Sequence, residues 1–183
     1  MNQVITKGEK FVEVVRDEDP ESPRDWDNLG TMVCFHRRYN LGDKHDYKVN
    51  DYNSWDEVKA ALIEKGAKYI APLYLYDHGG ISISMGSFIG KAPHAEWDSG
   101  QVGLIYTTEE AIAEFGIEAD KVESRLESEV DTYNQYLMGE VYGYKIMERN
   151  TCGTCNHIEV VELDSCYSYY SEEAALEAGV AEL

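Results

Sequence analysis

The chain has 183 residues, of which 43% are apolar, and this is enough to bury a core without disulfides or a metal. Its formal net charge of −19 repels nucleic acid and acidic membranes and favours basic partners. Four cysteines are too few for a disulfide scaffold, and neither a transmembrane run nor a signal peptide is present, so we expect a protein of the reducing cytoplasm.

The first part of the chain predicts several strands and one helix. Apolar patterns predict strands over Phe11–Val15, Thr31–Phe35, Tyr69–Tyr76, Ile81–Met85 and Val102–Tyr106. Pro72 cannot donate to a ladder, so it predicts an edge or a bulge within its strand. Ser54 and Glu57 form a capping box, which predicts a helix over Trp55–Lys65 that stops at Gly66.

The next part of the chain predicts two helices. Thr107 and Glu110 make a second capping box, which opens a short helix closed by Gly116. A longer helix is predicted from Ala119 to Met138, before Gly139. Its apolar row, at helical spacing, consists of Val122, Leu126, Val130, Tyr133 and Leu137.

The last part predicts a hairpin and a helix. Val141–Met147 and Ile158–Leu163 read as a strand pair, so residues 148–170 form a hairpin that carries the Cys152–Cys155 loop. Ser171 caps a short C-terminal helix within 171–183 that ends at Gly179. Strands and helices do not alternate regularly. We therefore predict one α+β domain over 1–183, with a mainly antiparallel sheet and three to four helices packed on it.

Several long polar strings carry a resemblance to known sequences. They are residues 22–34 (SPRDWDNLGTMVC) with 36–43 (HRRYNLGD), residues 72–78 (PLYLYDH) and residues 97–103 (WDSGQVG). Together they resemble a family of hypothetical proteins that is common in bacteriophages and prophages. The resemblance implies a phage or mobile-element origin and action inside a bacterial host. It does not imply a particular activity, and it does not assign any catalytic residue.

The acidic residues are unevenly distributed along the chain. Residues 1–107 hold 17 acids and 12 bases, whereas residues 108–183 hold 18 acids and only 4 bases. On the long helix, one acidic face lies opposite the apolar row and consists of Asp120, Glu123, Glu127 and Asp131. A step of four residues rises about 6 Å, similar to the through-space separation of about 7 Å between neighbouring phosphates of one DNA strand, although these are only about 3.4 Å apart along the axis. This face predicts either a DNA-like surface for a basic protein or an ordinary solvated helix face.

The cysteine spacing indicates a candidate metal site. Cys152 and Cys155 have the separation of one zinc knuckle, and a hairpin could bring His157 or Cys166 to the other side of the ion. The alternatives are reduced, unligated cysteines, or redox chemistry, which would require a helix after the motif. Structural zinc is therefore a cofactor hypothesis only. Cys34 lies in an apolar strand and is expected in the core.

A second candidate site follows the predicted core strands. Arginines next to a histidine can hold a phosphate, and a histidine beside an aspartate can act as a base. The candidate ligand-binding residues are His36, Arg37, Arg38, Asp43, Asp77, His78, Trp97 and Asp98. The alternative interpretation is that the arginines pair with some of the 35 acids and the histidines complete turns.

These patterns lead to three hypotheses. The first is a non-enzymatic phage accessory protein that inhibits a host defence protein through the acidic face. Its partner would have a basic, nucleic-acid-binding surface. The protein itself would bind neither nucleic acid nor membrane directly. The second is a protein or enzyme that binds a nucleotide or other phosphate ligand. The third is a zinc-stabilised assembly or transcription accessory. The 14 tyrosines also suit an interface, including that of a homo-oligomer.

Overall fold

The computed structural model describes residues 4–183, with side chains from Ile5 onward. The chain divides into two compact units. One contains the residues up to Glu21 together with Gly139–Leu183, and the other is Ser22–Met138. Each unit has its own four-stranded sheet and its own buried core. The single-domain organisation stays a prediction.

The two units together contain eight strands and five α-helices within residues 4–183. The strands are β1 Val4–Lys7, β2 Lys10–Arg16, β3 Thr31–Cys34, β4 Ala67–Asp77, β5 Ile81–Ser84, β6 Ser99–Thr108, β7 Tyr142–Thr151 and β8 Ile158–Tyr169. The helices are α1 Trp55–Glu64, α2 Ala95–Asp98, α3 Glu109–Phe115, α4 Val122–Leu137 and α5 Glu172–Ala181. Three short 3-10 turns cover Pro23–Asp25, Val49–Asp51 and Ala119–Lys121. Every strand pairing is antiparallel, which confirms the predicted α+β class, although the strands form two sheets.

In the Ser22–Met138 unit, the strand order is β3-β6-β4-β5, and helices cover both faces of this sheet. The core on the α4 side includes Met32, Leu73, Leu75, Ile105, Leu126 and Val130. The core on the α1 side includes Val33, Leu104, Val58 and Leu62. Neighbouring residues of one strand thus enter opposite cores, as the period of two in a strand requires. The predicted apolar row of α4 forms the centre of the larger core.

Pro72 lies in β4 between two irregularities of the β4–β6 register. Strand β5 pairs only with Tyr74–Asp77, so Pro72 lies where β4 has a strand on one side alone. Because proline has no N–H to donate, this is the position at which a ladder tolerates it. The predicted edge or bulge at Pro72 is confirmed.

The helix starts largely follow the predicted caps. Ser54 Oγ accepts a hydrogen bond from the Glu57 amide at 3.3 Å and begins α1. The predicted cap of α3 is one residue too early, because the hydroxyl of Thr108 accepts the Ala111 amide at 3.2 Å. Thr107 is instead a buried residue of β6. Two adjacent threonines offer the same capping chemistry, and only the end of the strand decides between them.

In the other unit, the strand order is β1-β2-β7-β8, and α5 packs on β2 and β7. Ser171 caps α5 as predicted, but the helix continues beyond Gly179 to Ala181. A Cβ at position 179 would lie 2.6 Å from Val12 Cγ1 and 2.9 Å from Tyr144 Cγ. Gly179 therefore permits close packing of helix on sheet and does not end the helix.

Arg24 is the centre of a buried charged group in the Ser22–Met138 unit. Its Nε and Nη2 donate to the two carboxylate oxygens of Asp43 at 2.9 and 2.7 Å, and Nη2 also donates to the Gly30 carbonyl at 2.6 Å. On α4, the Glu129 carboxylate accepts the amides of Leu29 and Gly30 at 2.9 and 3.0 Å. It also lies 3.7 Å from Nη1 of Arg24, and both side chains are 5% exposed. These contacts join three segments: residues 24–30, the loop that contains Asp43, and helix α4.

This charged group generates a stability prediction. Glu129→Gln leaves a buried amide of residue 29 or 30 facing an NH2 group and removes the negative charge beside Arg24. We expect a loss of about 3 to 5 kcal/mol in the free energy of unfolding, as for other broken buried ion pairs. Chemical denaturation of the full chain measures it. The control is Glu127→Gln, an exposed residue on the same helix, with an expected change below about 0.5 kcal/mol. Equal effects of both substitutions would contradict the structural role of Glu129.

Candidate functional sites

The acidic face of α4 is exposed along its whole length. Asp120 precedes the helix, and Glu123, Glu127 and Asp131 follow at helical spacing on an exposed side of the helix, about 100° around the axis from the buried row. Within residues 4–183, none of these four carboxylates forms an ion pair or a side-chain hydrogen bond. The one arginine of the helix, Arg125, donates instead to Glu129 at 3.2 Å. The four negative charges are therefore left without a protein counterion.

Further exposed acids, which the four-residue pattern missed, precede this acidic face along the chain. The additional exposed carboxylates of α3 and the following turn are Glu109, Glu110, Glu114 and Glu118. Residues 109–131 contain nine acids and two bases, a formal charge of −7, and all of these acids except the buried Glu129 are exposed. Lys68 pairs with Glu109 at 3.1 Å at one end. The dense run of acids after residue 108 was the sequence signal for these additional exposed carboxylates.

The polar cluster around β4 divides into two linked groups. In the first, the Arg38 guanidinium pairs with the carboxylate of Asp77, which also accepts the Tyr39 hydroxyl at 3.2 Å. The His36 ring stacks on Tyr39 with a centroid distance of 4.9 Å. Its Nδ1 accepts the amides of Arg38 and Tyr39 at 3.3 and 3.2 Å, so the neutral ring carries its proton on Nε2.

The second group is centred on His78, the chain neighbour of Asp77. Its Nδ1 lies 2.8 Å from the Asp98 carboxylate, and its ring contacts the rings of Tyr76 and His94 at centroid distances of 5.8 and 5.7 Å. If Nδ1 donates to Asp98, Nε2 of His78 is left as the base. The carboxylate beside His78 is thus Asp98, whereas the sequence had suggested Asp77 or Asp43, which bind Arg38 and Arg24 instead. Trp97 beside it is 87% exposed.

A cavity of about 910 Å³ borders the first group and contains His36, Arg37, Arg38 and Asn40 in its lining. Arg37 is exposed, and it forms no ion pair with any residue of the described chain. Asp43, which the sequence analysis grouped with these residues, is not part of this cluster. Its carboxylate binds Arg24 and accepts the Met32 amide at 2.7 Å. It borders a different cavity, of about 820 Å³, together with Arg24 and Tyr133.

The Cys152–Cys155 motif lies in the loop between β7 and β8. The register pairs Thr151 with Ile158 at this end of the hairpin and Tyr144 with Cys166 at the other. At roughly 3.3 Å per residue, Cys166 is about 26 Å along β8 from Ile158. The structure therefore does not bring Cys166 to the loop. Across residues 4–183, no group of three or more His, Cys, Asp or Glu side chains is arranged to hold a metal.

The thiols differ strongly in their chemistry. The Cys152 sulfur accepts hydrogen bonds from the amides of Thr154 and Cys155 and from the Cys155 thiol, and these bonds lower its pKa to about 7. Burial raises the pKa of Cys34 to about 12, with a smaller contribution from the nearby Asp43 carboxylate. Cys34 is thus a buried core residue, as predicted, and Cys152 is the thiol that is ionised near neutral pH.

The comparisons with known proteins assign no function to the chain. The chain gives no significant match to a protein-family model, to a curated protein or to a solved structure. None of the helices in the part of the chain that is described is long and apolar enough to cross a bilayer. The resemblance to phage proteins stays a prediction.

The difference between the thiols can be measured by alkylation. Because Cys152 is exposed and its pKa is lowered to about 7, its reaction with iodoacetamide should rise with pH with a midpoint near 7. Cys34 should remain unmodified in the folded protein over the same range and react after denaturation. Peptide mapping by mass spectrometry measures both rates. A Cys152 midpoint near 9, or rapid labelling of native Cys34, would contradict this assignment.

Proposed function

We propose that the protein is a non-enzymatic binding protein whose acidic face, consisting of Asp120, Glu123, Glu127 and Asp131, occupies a basic surface of another protein. The observation that carries this proposal is the row of exposed carboxylates on α4 without protein counterions. The repulsion between these carboxylates raises the free energy of the surface unless solvent ions or a partner compensate the charge. Binding a cationic surface removes the repulsion between the carboxylates and releases the counterions of both partners.

The chemistry of this face favours a partner that normally binds nucleic acid. Carboxylates at helical steps of three and four residues place negative charges at intervals of about 5 to 6 Å along a rigid rod. A cleft of lysines and arginines that holds the phosphates of DNA would accept the same row of charges. The resemblance to phage proteins supports a partner within the bacterial host, and a nuclease or other defence protein has the required basic cleft.

Substitution of the face provides a direct test. A tagged protein is used to capture partners from DNA-depleted bacterial lysate, and the affinity of the captured partner is then measured for each variant. The triple variant Glu123→Gln, Glu127→Gln and Asp131→Asn should bind about tenfold more weakly at low salt, at roughly 0.5 kcal/mol for each exposed charge pair. Wild-type binding should weaken with salt, and a short DNA duplex should compete with it.

The matched control is Glu173→Gln, Glu177→Gln and Glu182→Gln, which removes the same charge from exposed positions of α5 and its C-cap. This control should bind like the wild type. Unchanged affinity of the α4 variant, or equal losses in both triple variants, would show that net charge or another surface is responsible and would remove the acidic face from the proposal.

A second candidate function is binding of a phosphate-containing ligand in the cavity beside His36. The observation that favours it is the unpaired, exposed guanidinium of Arg37 at a cavity large enough for a nucleotide. Arg38 is occupied by Asp77, so Arg37 would supply the charge and Nε2 of His36 a hydrogen bond.

Calorimetry with ATP and with inorganic pyrophosphate tests this second function. If either binds, Arg37→Gln should weaken it at least about tenfold, since hydrogen bonds to charged groups contribute about 1.5 to 3 kcal/mol. Arg16→Gln, an exposed arginine of the other unit, should have no effect. The absence of heat with both probes in the wild type, or equal effects of the two substitutions, would contradict a phosphate site at Arg37.

A further inference from the structure

The tip of the β7–β8 hairpin is a well-defined loop with two free thiols. The amide of Cys152 donates to the His157 carbonyl at 2.8 Å, and the amide of Asn156 donates back to the Cys152 carbonyl at 2.9 Å. Asn156 has φ of 58°, a left-handed conformation that asparagine tolerates better than most residues. These bonds close residues 152–157 into a tight turn that contains both cysteines.

Cys152 and Cys155 have the spacing of one half of a thiolate metal site, and both thiols are free and exposed at the tip of the hairpin. Two cysteines separated by two residues in a tight turn are a common way in which proteins provide two ligands to a tetrahedral zinc ion. The pair requires two further ligands.

The described part of the chain does not supply these ligands. Cys166 is at the far end of β8, and residues 4–183 contain no metal-binding group of three side chains. Residues 150–164 are all exposed, so no other element of the described chain covers the tip. A tetrahedral site at this tip would therefore take its other two ligands from outside the described chain.

We propose that two copies of the chain pair at their hairpin tips, with Cys152 and Cys155 of each copy binding one shared Zn²⁺. The two halves are identical, so a two-fold axis through the ion completes a tetrahedral site of four thiolates and closes the assembly as a dimer. This metal-linked dimer is independent of the acidic face of the other unit.

The surface next to the tip fits a second copy. Strand β8 is at the edge of its sheet and has an unpaired backbone edge. Its exposed apolar side chains are Ile158, Val160, Val161 and Leu163, with exposed fractions of 37 to 56%. Apolar side chains beside a half-site gain burial when the same strand of a partner approaches across the two-fold axis. This contact adds to the metal bonds.

The fold favours metal binding over dithiol redox chemistry at this motif. A redox motif of this spacing opens a helix, whose dipole stabilises the attacking thiolate. Here Cys155 is followed by the turn at Asn156 and then by β8, so no helix begins at the motif. An oxidised Cys152–Cys155 pair would abolish the site, so the proposal concerns the reduced protein.

Titration of the reduced, metal-free chain with Co²⁺, followed by Zn²⁺ competition, tests the proposal. The absorption bands of tetrahedral thiolate-bound Co²⁺ should saturate at one ion per two chains, and light scattering should show conversion from monomer to dimer at the same point. Because each copy carries a charge of −19, moderate salt should strengthen this dimer, whereas it weakens binding through the acidic face.

The variants are Cys152→Ser and Cys155→Ser, each of which should abolish both the absorption and the dimer while leaving the circular dichroism spectrum unchanged. The matched control is Cys166→Ser, an exposed cysteine of β8 outside the tip, which should behave like the wild type. Saturation at one ion per monomeric chain, no uptake of either metal by the reduced protein, or loss of binding in Cys166→Ser would overturn the proposal.

Discussion

The arrangement of the Ser22–Met138 unit depends on the burial of Arg24 between two carboxylates. A guanidinium removed from water is unfavourable unless its donors are satisfied and its charge is balanced. Asp43 accepts from one side, and Glu129 supplies the second negative charge from α4 while binding two amides of the 29–30 loop. Because each partner belongs to a different segment, none of the three segments can shift without leaving a buried charge unpaired. The group thus specifies one packing of loop, strand end and helix.

This constraint sets the orientation of α4 and hence the position of the acidic face. Glu129 faces the interior, and the buried row from Val122 to Tyr133 packs on the sheet beside it. Residues two positions away on either side of Glu129 must then face outward, which exposes Glu127 and Asp131. Acids of one helix therefore have opposite roles: the paired one stabilises the fold, and the unpaired ones create a field that attracts cationic partners.

The remaining candidate sites differ in how much of their charge is already compensated. Around His36 and His78, most cations and anions are paired with each other, and Arg37 alone among the predicted arginines is left for a ligand. At the hairpin tip, by contrast, the ligands for a metal are incomplete within the described chain. A site whose charged or metal-binding side chains lack partners in the described chain can bind another molecule. A cluster whose charges are already paired with each other has no such groups left. The acidic face and the cysteine tip are both of the first kind.

The sequence by itself determined the local features of this protein. Capping by Ser54 and Ser171, the apolar row of α4, the irregularity at Pro72 and the exposed acids beside that row all depend on neighbouring residues and on fixed helix or strand periods. Only the tertiary structure decided which distant groups meet. It assigned Asp43 to Arg24, Asp98 to His78, and Cys166 to a position far from the Cys152 loop, and it made Gly179 a packing contact and not a helix end. A pairing between distant residues depends on sheet register and helix packing, which the residues near each partner do not encode.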